Sequence, residues 1–319
     1  MTPQPQGRAR QPKTFLVTGV TGQQGSHVAK ELLARGHHVR GTTRNPSSDK
    51  AKPLQAAGAE LVAGDFDRPD SIAKAARGTD GAFVMGTPFE KGPETETKEG
   101  IAAIKAIVAA AVPHVLYSSV SDADRATGIP HFESKRRVEE FLQGQDVGHT
   151  IVAPVFFREN LLSPMMGARL PQGFLDFALP GDRELQTVEL REIGRFNAMV
   201  LERPADFAGR RINIASDAST PRDMAAAIET ASGHHVRHHE TPLAEVRKMS
   251  DDFARMMEWF NEVGYSADIE ALRRDSPEVG WRSFQQWATD QDWSAAPAPA
   301  TRERPAAGRQ EAVTRPPRA

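Results

Sequence analysis

The chain has 319 residues, a formal net charge of −2 and no cysteine. Its length suits one large α/β domain, or a nucleotide-binding domain with a smaller partner domain. The near-neutral charge gives no reason to expect nucleic acid as the main partner, and the lack of cysteine excludes disulfides, thiolate metal sites and cysteine nucleophiles. No apolar run approaches the roughly 20 residues of a membrane span and no signal-peptide core follows Met1, so we expect a cytoplasmic protein without membrane contact.

Both ends of the chain differ in composition from its middle. Residues 1–12 are rich in Gln, Pro and Arg, and residues 295–319 repeat Ala, Pro and Arg without an apolar period. Such segments cannot bury enough apolar surface to offset the entropy lost on ordering. We therefore predict two disordered tails around a folded body of residues 13–294.

Short apolar runs alternate with helical periods through the first half of the folded body. Strands are predicted at residues 15–17, 38–43, 59–63, 82–85 and 114–118, each followed by a helix. This alternation indicates right-handed βαβ crossovers and a parallel sheet, which a sixth strand at residues 149–154 continues. The fold class is therefore α/β, a Rossmann-type doubly wound parallel sheet, with residues 13–153 as its first part.

The pattern loosens in the second half, residues 154–294. Residues 210–216 predict one more strand. Thr220, Pro221 and Asp223 predict a helix start, with a capping hydroxyl, a proline in the first turn and an acid near the positive end. A further amphipathic helix is predicted from an apolar stripe, Phe253, Met256, Met257 and Phe260. We expect a smaller, mainly helical region that is interleaved with the sheet and lies against its carboxyl edge.

The segment TGVTGQQG follows the first strand and opens the first helix. In an open parallel sheet, ligands bind beyond the carboxyl ends of the strands, where this segment lies. Glycines there permit a tight turn and close approach of the backbone to a pyrophosphate, and the helix N-terminus adds free N–H groups and a partial positive charge. The spacing of Gly19, Gly22 and Gly25 also fits a turn that binds nothing, but its place at the head of a βαβ series favours binding.

The end of the second strand indicates which dinucleotide would bind. It reads GTTRNP, with no acid before Asp49. NAD sites place Asp or Glu about 20 residues beyond the glycines to hold the ribose 2′-hydroxyl, whereas an Arg accommodates a 2′-phosphate. Arg44 therefore predicts NADP(H); the alternative is an ordinary solvated loop cation.

Five segments in order resemble the NmrA-like family of atypical short-chain dehydrogenases/reductases, especially the branch of the human NmrA-like family domain protein, an NADPH sensor. They are TGVTGQQGSHVAKELLARGHHVRGTTRNP, AELVAGDF, VLYSS, HFESKRRVEEFL and PVFFRENLLS, within residues 13–293. The resemblance implies that residues 13–153 bind NADP(H) and that residues 154–294 serve a substrate or a partner. It makes a homodimer possible.

The resemblance also implies individual cofactor contacts. Those to the pyrophosphate are Gly19, Thr21, Gly22, Gln23, Gln24 and Gly25. Arg44, with Asn45 beside it, would contact the 2′-phosphate, and Asp65 and Phe66 would border the adenine. Those on the ribose and nicotinamide side are Gly86, Thr87, Pro88, Lys135, Pro154, Val155, Phe156 and Phe157. The phenylalanines suit a protein core equally well.

The run HFESK stands where active short-chain dehydrogenases carry their catalytic Tyr and Lys. Active short-chain dehydrogenases use Tyr-x-x-x-Lys, because the i, i+4 spacing places both side chains on one helix face and the ammonium lowers the phenol pKa. Here His131 stands in place of the Tyr and Lys135 is retained. His131 is either a general acid or a histidine without a role, and the nearby Lys135 disfavours its cation. Ser118 ends the fifth strand near where the relatives' catalytic serine sits; it is either a catalytic serine or a small polar residue at a strand end.

Two functions follow from these residues. One is a redox-sensing regulator with weak or no dehydrogenase activity, whose protein partner reads the NADPH/NADP+ state. The other is an NADPH-dependent oxidoreductase that reduces a small carbonyl, quinone or azo-type acceptor. The missing Tyr favours the sensor.

A cluster of histidines raises the question of a metal site. The group His234, His235, His238 and His239 lies in one polar segment without a carboxylate pattern beyond Glu240. A solvated surface accounts for it better than metal ligation, so we predict no metal.

Overall fold

The computed structural model describes residues 11–293 of the chain, so the tails predicted at 1–12 and 295–319 lie almost entirely outside the described residues. The strands are β1 Thr14–Val17, β2 His38–Thr43, β3 Glu60–Ala63, β4 Gly81–Met85, β5 His114–Ser118, β6 Gly148–Pro154, β7 Phe156–Phe157, β8 Phe174–Phe177, β9 Leu185–Val188, β10 Arg211–Ile214, β11 Asp217–Ser219 and β12 Arg237–Glu240. The helices are α1 Gln23–Ala34, α2 Lys52–Ala56, α3 Pro69–Ala76, α4 Pro93–Ala109, α5 Pro130–Gln143, α6 Leu190–Glu202, α7 Pro204–Phe207, α8 Pro221–Ser232, α9 Leu243–Met249, α10 Asp251–Glu262, α11 Ile269–Asp275 and α12 Phe284–Thr289.

The central sheet has seven parallel strands in the order β3-β2-β1-β4-β5-β6-β10. This confirms the predicted doubly wound α/β fold, and the predicted bounds of β2 and β5 agree with the observed ones. After β3 the chain returns to the other side of β1 to form β4. A crevice therefore lies between the carboxyl ends of β1 and β4, and the segments that follow these strands line it.

The second half of the chain contributes to the same sheet. Its strand β10 pairs with β6 at the edge, and α6 packs against α1. The predicted cap of α8 is present, since Thr220 Oγ1 accepts the Asp223 N–H at 3.1 Å. The region is richer in strands than the sequence indicated, because β11-β9-β7 and β12-β8 form two small additional sheets.

The apolar stripe of α10 belongs to the protein core. Met256, Met257 and Phe260 are buried in a cluster that includes Phe132 of α5 and Phe156 of β7. This packing fixes α10 beside the N-terminal half of α5. It thereby positions the polar N-terminus of α10 next to the run HFESK.

Candidate functional site

The glycine loop makes a turn that side chains would obstruct. Gly19 has φ +57°, in the left-handed region that glycine adopts readily, and the Gly22 N–H donates to the Gly19 carbonyl at 2.9 Å. A Cβ on Gly25 would lie 2.4 Å from the Gly19 carbonyl oxygen, so the first turn of α1 packs directly on the loop backbone. The loop is therefore shaped by close backbone contacts that glycine alone permits.

The same loop lies between the ends of β2 and β4. Val20 N–H donates to the Thr42 carbonyl at 3.1 Å, and the Thr21 and Thr43 hydroxyls are 3.2 Å apart. Helix α1 follows with Gly22 as an extended N-cap that supplies no side-chain cap. The N–H groups of its first turn thus remain free of intrahelical partners, which is the arrangement that binds anions.

Arg44 follows β2 at the rim of this crevice. Its Nη1 and Nη2 atoms bind the two carboxylate oxygens of Glu90 at 2.7 and 2.9 Å. The hydrogen bonds and opposite charge of Glu90 raise the pKa of Arg44, and those of Arg44 lower the pKa of Glu90. Both side chains are more than half exposed, so the guanidinium is accessible to an anion from solvent.

The residues expected around the adenine and ribose form the turns at this rim. The Asn45 Oδ1 accepts the Ser47 N–H at 3.0 Å, and the Asp65 Oδ1 accepts the Asp67 N–H at 3.1 Å. After β4, Thr87 is exposed and Pro88 is buried. The structure therefore brings the segments after β2, β3 and β4 to one edge of the sheet, as the sequence predicts for a nucleotide site.

Lys135 is held by an acid that the sequence analysis did not single out. Its Nζ donates to Glu96 Oε1 at 2.8 Å and to the Gly86 carbonyl at 3.3 Å. The Glu96 side chain is fully buried, and its second oxygen accepts the Ser134 hydroxyl. Lys135 is thus an ammonium at the carboxyl end of β4 whose position is fixed, and whose charge is balanced, by the Glu96 carboxylate.

His131 also has a partner that is remote in sequence. Its Nδ1 lies 2.8 and 2.9 Å from the two carboxylate oxygens of Asp252, at the N-terminus of α10. The sequence analysis considered only Lys135 as a charge near His131. The structure adds the Asp252 carboxylate beside His131, and it pairs Lys135 with Glu96. A carboxylate on Nδ1 orients the ring so that Nε2 is the nitrogen left for other contacts.

The other candidate proton donors are occupied or buried. Ser118 donates to Gln24 Oε1 at 2.6 Å, and both side chains are buried, so Gln24 turns toward β5. Tyr117 is fully buried in β5, and Tyr265 packs against Phe260 with ring centroids 4.6 Å apart. Burial raises the pKa of both tyrosines well above their ordinary value. Neither tyrosine is placed as the acid of a short-chain dehydrogenase.

The segment expected near the nicotinamide is mostly core. Pro154, Val155 and Phe156 are buried, and Phe157 is half-buried against a core cluster that includes Val20 and Val188. Beyond it, Glu159 accepts the Leu190 N–H at 3.1 Å, and its other oxygen has no partner within the described residues. Burial raises the pKa of Glu159 to about 7.

The histidine cluster is spread along the surface around β12. His235 binds Glu229 at 2.9 Å, and His239 binds Asp176 at 2.9 Å. Within residues 11–293 no three His, Asp or Glu side chains are grouped so that they could hold a metal ion.

In that same range no helix combines the length and apolar character needed to cross a membrane.

Three acids that pair with candidate site residues escaped the sequence analysis: Glu90, Glu96 and Asp252. Each lies in a run of charged residues, GTPFEKG, PETETKEG or SDDFARM, that is typical of a solvated surface. Each pairs with a site residue on another element. Their only sequence signal is their place at or near a helix N-terminus or a strand end, which is too common to assign a role.

The chain is similar to known proteins in sequence and in fold. The model of the NmrA-like family matches residues 11–289. Over 164 residues, 48% of this chain and 49% of the relative, the chain is 35% identical to the NmrA-like family domain-containing oxidoreductase himF of Aspergillus japonicus; it thus spans about half the length of that relative.

Two solved structures share the fold. One is NmrA, a negative transcriptional regulator, in complex with NADP, at a TM-score of 0.73 and 20% identity over 88% of this chain and 95% of that one. The other is the NADPH-dependent quinone oxidoreductase QOR2 of Escherichia coli complexed with NADPH, at a TM-score of 0.73 and 21% identity over 86% and 98% of the two chains.

Proposed function

Because this chain belongs to the NmrA-like family, we propose that it binds NADP(H) and acts as a regulator that reports the redox state of that cofactor. The observation that carries the cofactor is Arg44, an accessible guanidinium beside a glycine loop and an uncapped helix N-terminus. The named complexes of NmrA with NADP and of QOR2 with NADPH support the same choice.

The residues present fit this cofactor. A Cβ on Gly22 would lie 3.1 Å from the Gly19 carbonyl oxygen, so this turn leaves the backbone bare for a pyrophosphate. Arg44 would take the 2′-phosphate, and Lys135, already oriented by Glu96, would take the nicotinamide ribose. When bound, the nicotinamide supplies or accepts a hydride.

The surroundings of the candidate proton donors favour a regulator over a dehydrogenase. His131 replaces the usual Tyr, Ser118 donates to Gln24, and both tyrosines have strongly raised pKa values. A regulator needs only that NADPH and NADP+ stabilise different conformations, which a protein partner then distinguishes. The absence of cysteine suits such a role in the cytoplasm.

Two measurements test this role together. The purified protein is incubated with NADPH and a panel of aldehydes, quinones and azo compounds, and hydrogen exchange is compared between its apo, NADPH and NADP+ forms. We expect little or no turnover and a difference in exchange between the two cofactor forms. Turnover of several per second, with identical exchange in both cofactor forms, would contradict the regulator.

An NADPH-dependent reductase is the second candidate, and the His131–Asp252 pair favours it. Asp252 would accept the Nδ1–H of an imidazolium at His131, whose Nε2 would give its proton to the acceptor and leave a neutral imidazole. The relative named as an oxidoreductase agrees with this candidate. In that case Asp252→Asn should lower turnover and shift its pH dependence.

A further inference from the structure

The ion pair between Arg44 and Glu90 occupies the position expected for the 2′-phosphate. Arg44 uses both terminal nitrogens on the Glu90 carboxylate, in the two-pronged geometry that guanidinium groups use for phosphate. A carboxylate and a phosphate cannot share this fork, because both are anions that need the same donors. A 2′-phosphate that binds Arg44 through this same pair of nitrogens therefore displaces Glu90.

Glu90 lies on the short segment between β4 and α4. Its side chain is 51% exposed, and Arg44 is the partner that holds it. The next residue, Lys91, is tied separately to Asp67 and Glu99, which anchors the far side of the segment. The Glu90 side chain can thus exchange its partner while β4 and α4 keep their packing.

The same segment leads to His131. Phe89, next to Glu90, is 81% exposed, and its ring centroid lies 6.0 Å from that of His131. Phe89 and Glu90 are consecutive residues of the turn that the Gly92 N–H closes on the Pro88 carbonyl at 2.8 Å. This turn thus places one side chain near His131 and the next on Arg44.

We propose that Glu90 is an internal competitor for Arg44 that discriminates between the two dinucleotides: NADP(H) displaces it, whereas NAD(H) binds with the Arg44–Glu90 pair intact. The inference rests on the proposed NADP(H) site. NADP(H) binding bears the cost of breaking the pair, and NAD(H) binding does not. The Glu90 side chain consequently takes different positions with the two cofactors.

The test is the substitution Glu90→Gln, which keeps the shape and removes the charge. NADPH should bind about three- to fivefold more tightly to this variant, because an exposed ion pair of this kind contributes up to about 1 kcal/mol, whereas NADH affinity stays unchanged. The matched control is Glu94→Gln, an exposed glutamate nearby that pairs with Arg137 at 2.8 Å. Its NADPH affinity should equal that of the unmutated protein.

A second readout uses hydrogen exchange over residues 89–92 of the unmutated protein, beyond the residues expected on the ribose and nicotinamide side, with NADPH, NADH or 2′,5′-ADP. NADPH and 2′,5′-ADP should alter exchange there alike, and NADH should not. Unchanged or weaker NADPH binding by Glu90→Gln, or equal tightening for NADH, would overturn the competitor role. If the unmutated protein binds neither dinucleotide, the proposed cofactor site itself fails, and the inference fails with it.

Discussion

The buried ion pair of Lys135 and Glu96 leads to a prediction about stability. Replacing Lys135 by Met keeps an unbranched side chain of similar reach but removes the ammonium. The Glu96 carboxylate, 0% exposed, would then keep the Ser134 hydroxyl but no counter-charge. Breaking a buried pair from one side costs about 3–5 kcal/mol, so we expect Lys135→Met to lower the free energy of unfolding by about this amount.

The double variant Lys135→Met/Glu96→Gln separates this cause from lost packing. It leaves no charge behind, and the introduced amide oxygen can still accept the Ser134 hydrogen bond, so this variant should recover about 1–3 kcal/mol relative to the single variant. Urea unfolding at pH 7, followed by circular dichroism, measures both. The control Lys91→Met removes an exposed lysine that binds two carboxylates, and it should cost less. A Lys135→Met protein as stable as the unmutated one would refute the reasoning.

Further predictions concern the loop, the dyad and a buried acid. Gly22→Val should abolish dinucleotide binding in calorimetry and leave the circular dichroism spectrum unchanged, because the valine side chain would block the approach of the backbone to a pyrophosphate. Normal binding by this variant would show that the glycines form a turn without a binding role. Asp252→Asn should increase hydrogen exchange at the N-termini of α5 and α10, which the His131 contact joins, and equal exchange would show that the contact holds neither. Burial raises the pKa of Glu159 from 4.5 to about 7, so between these pH values the folded protein retains a proton that the unfolded chain has lost, and this group's contribution to stability falls as pH rises. Glu159→Gln should therefore stabilise the protein by up to about 3 kcal/mol at pH 8 and by less at pH 5, as thermal unfolding at both pH values would measure; an equal gain at both would contradict the linkage.

The sequence predicts the sheet well because its signals are local. An apolar run such as Phe15-Leu16-Val17 and the glycines after it specify a strand, a turn and a helix within a dozen residues. The place of Arg44 follows from the same pattern, since it directly succeeds β2. Thr220 likewise caps α8 through a contact three residues away.

The partners of the site residues follow from tertiary packing and have no such local signal. Asp252 binds His131 from 121 residues away, Glu90 binds Arg44 from 46 and Glu96 binds Lys135 from 39. Sequence periodicity identified α10 as an amphipathic helix, but it gave no sign that Met257 and Phe260 share a core cluster with Phe132 of α5, next to His131. The charge expected around His131 was incomplete for this reason.

The most direct test of the account is a titration of NADPH and NADH into the unmutated protein and into Arg44→Ala. The central claim is that the glycine loop holds a dinucleotide whose 2′-phosphate binds Arg44. We predict that NADPH binds more tightly than NADH, and that Arg44→Ala removes most of this preference, a loss of about tenfold or more for a charge-assisted contact, without changing NADH affinity. Equal affinities for the two cofactors in the unmutated protein, or a preference for NADPH that survives in Arg44→Ala, would contradict the claim.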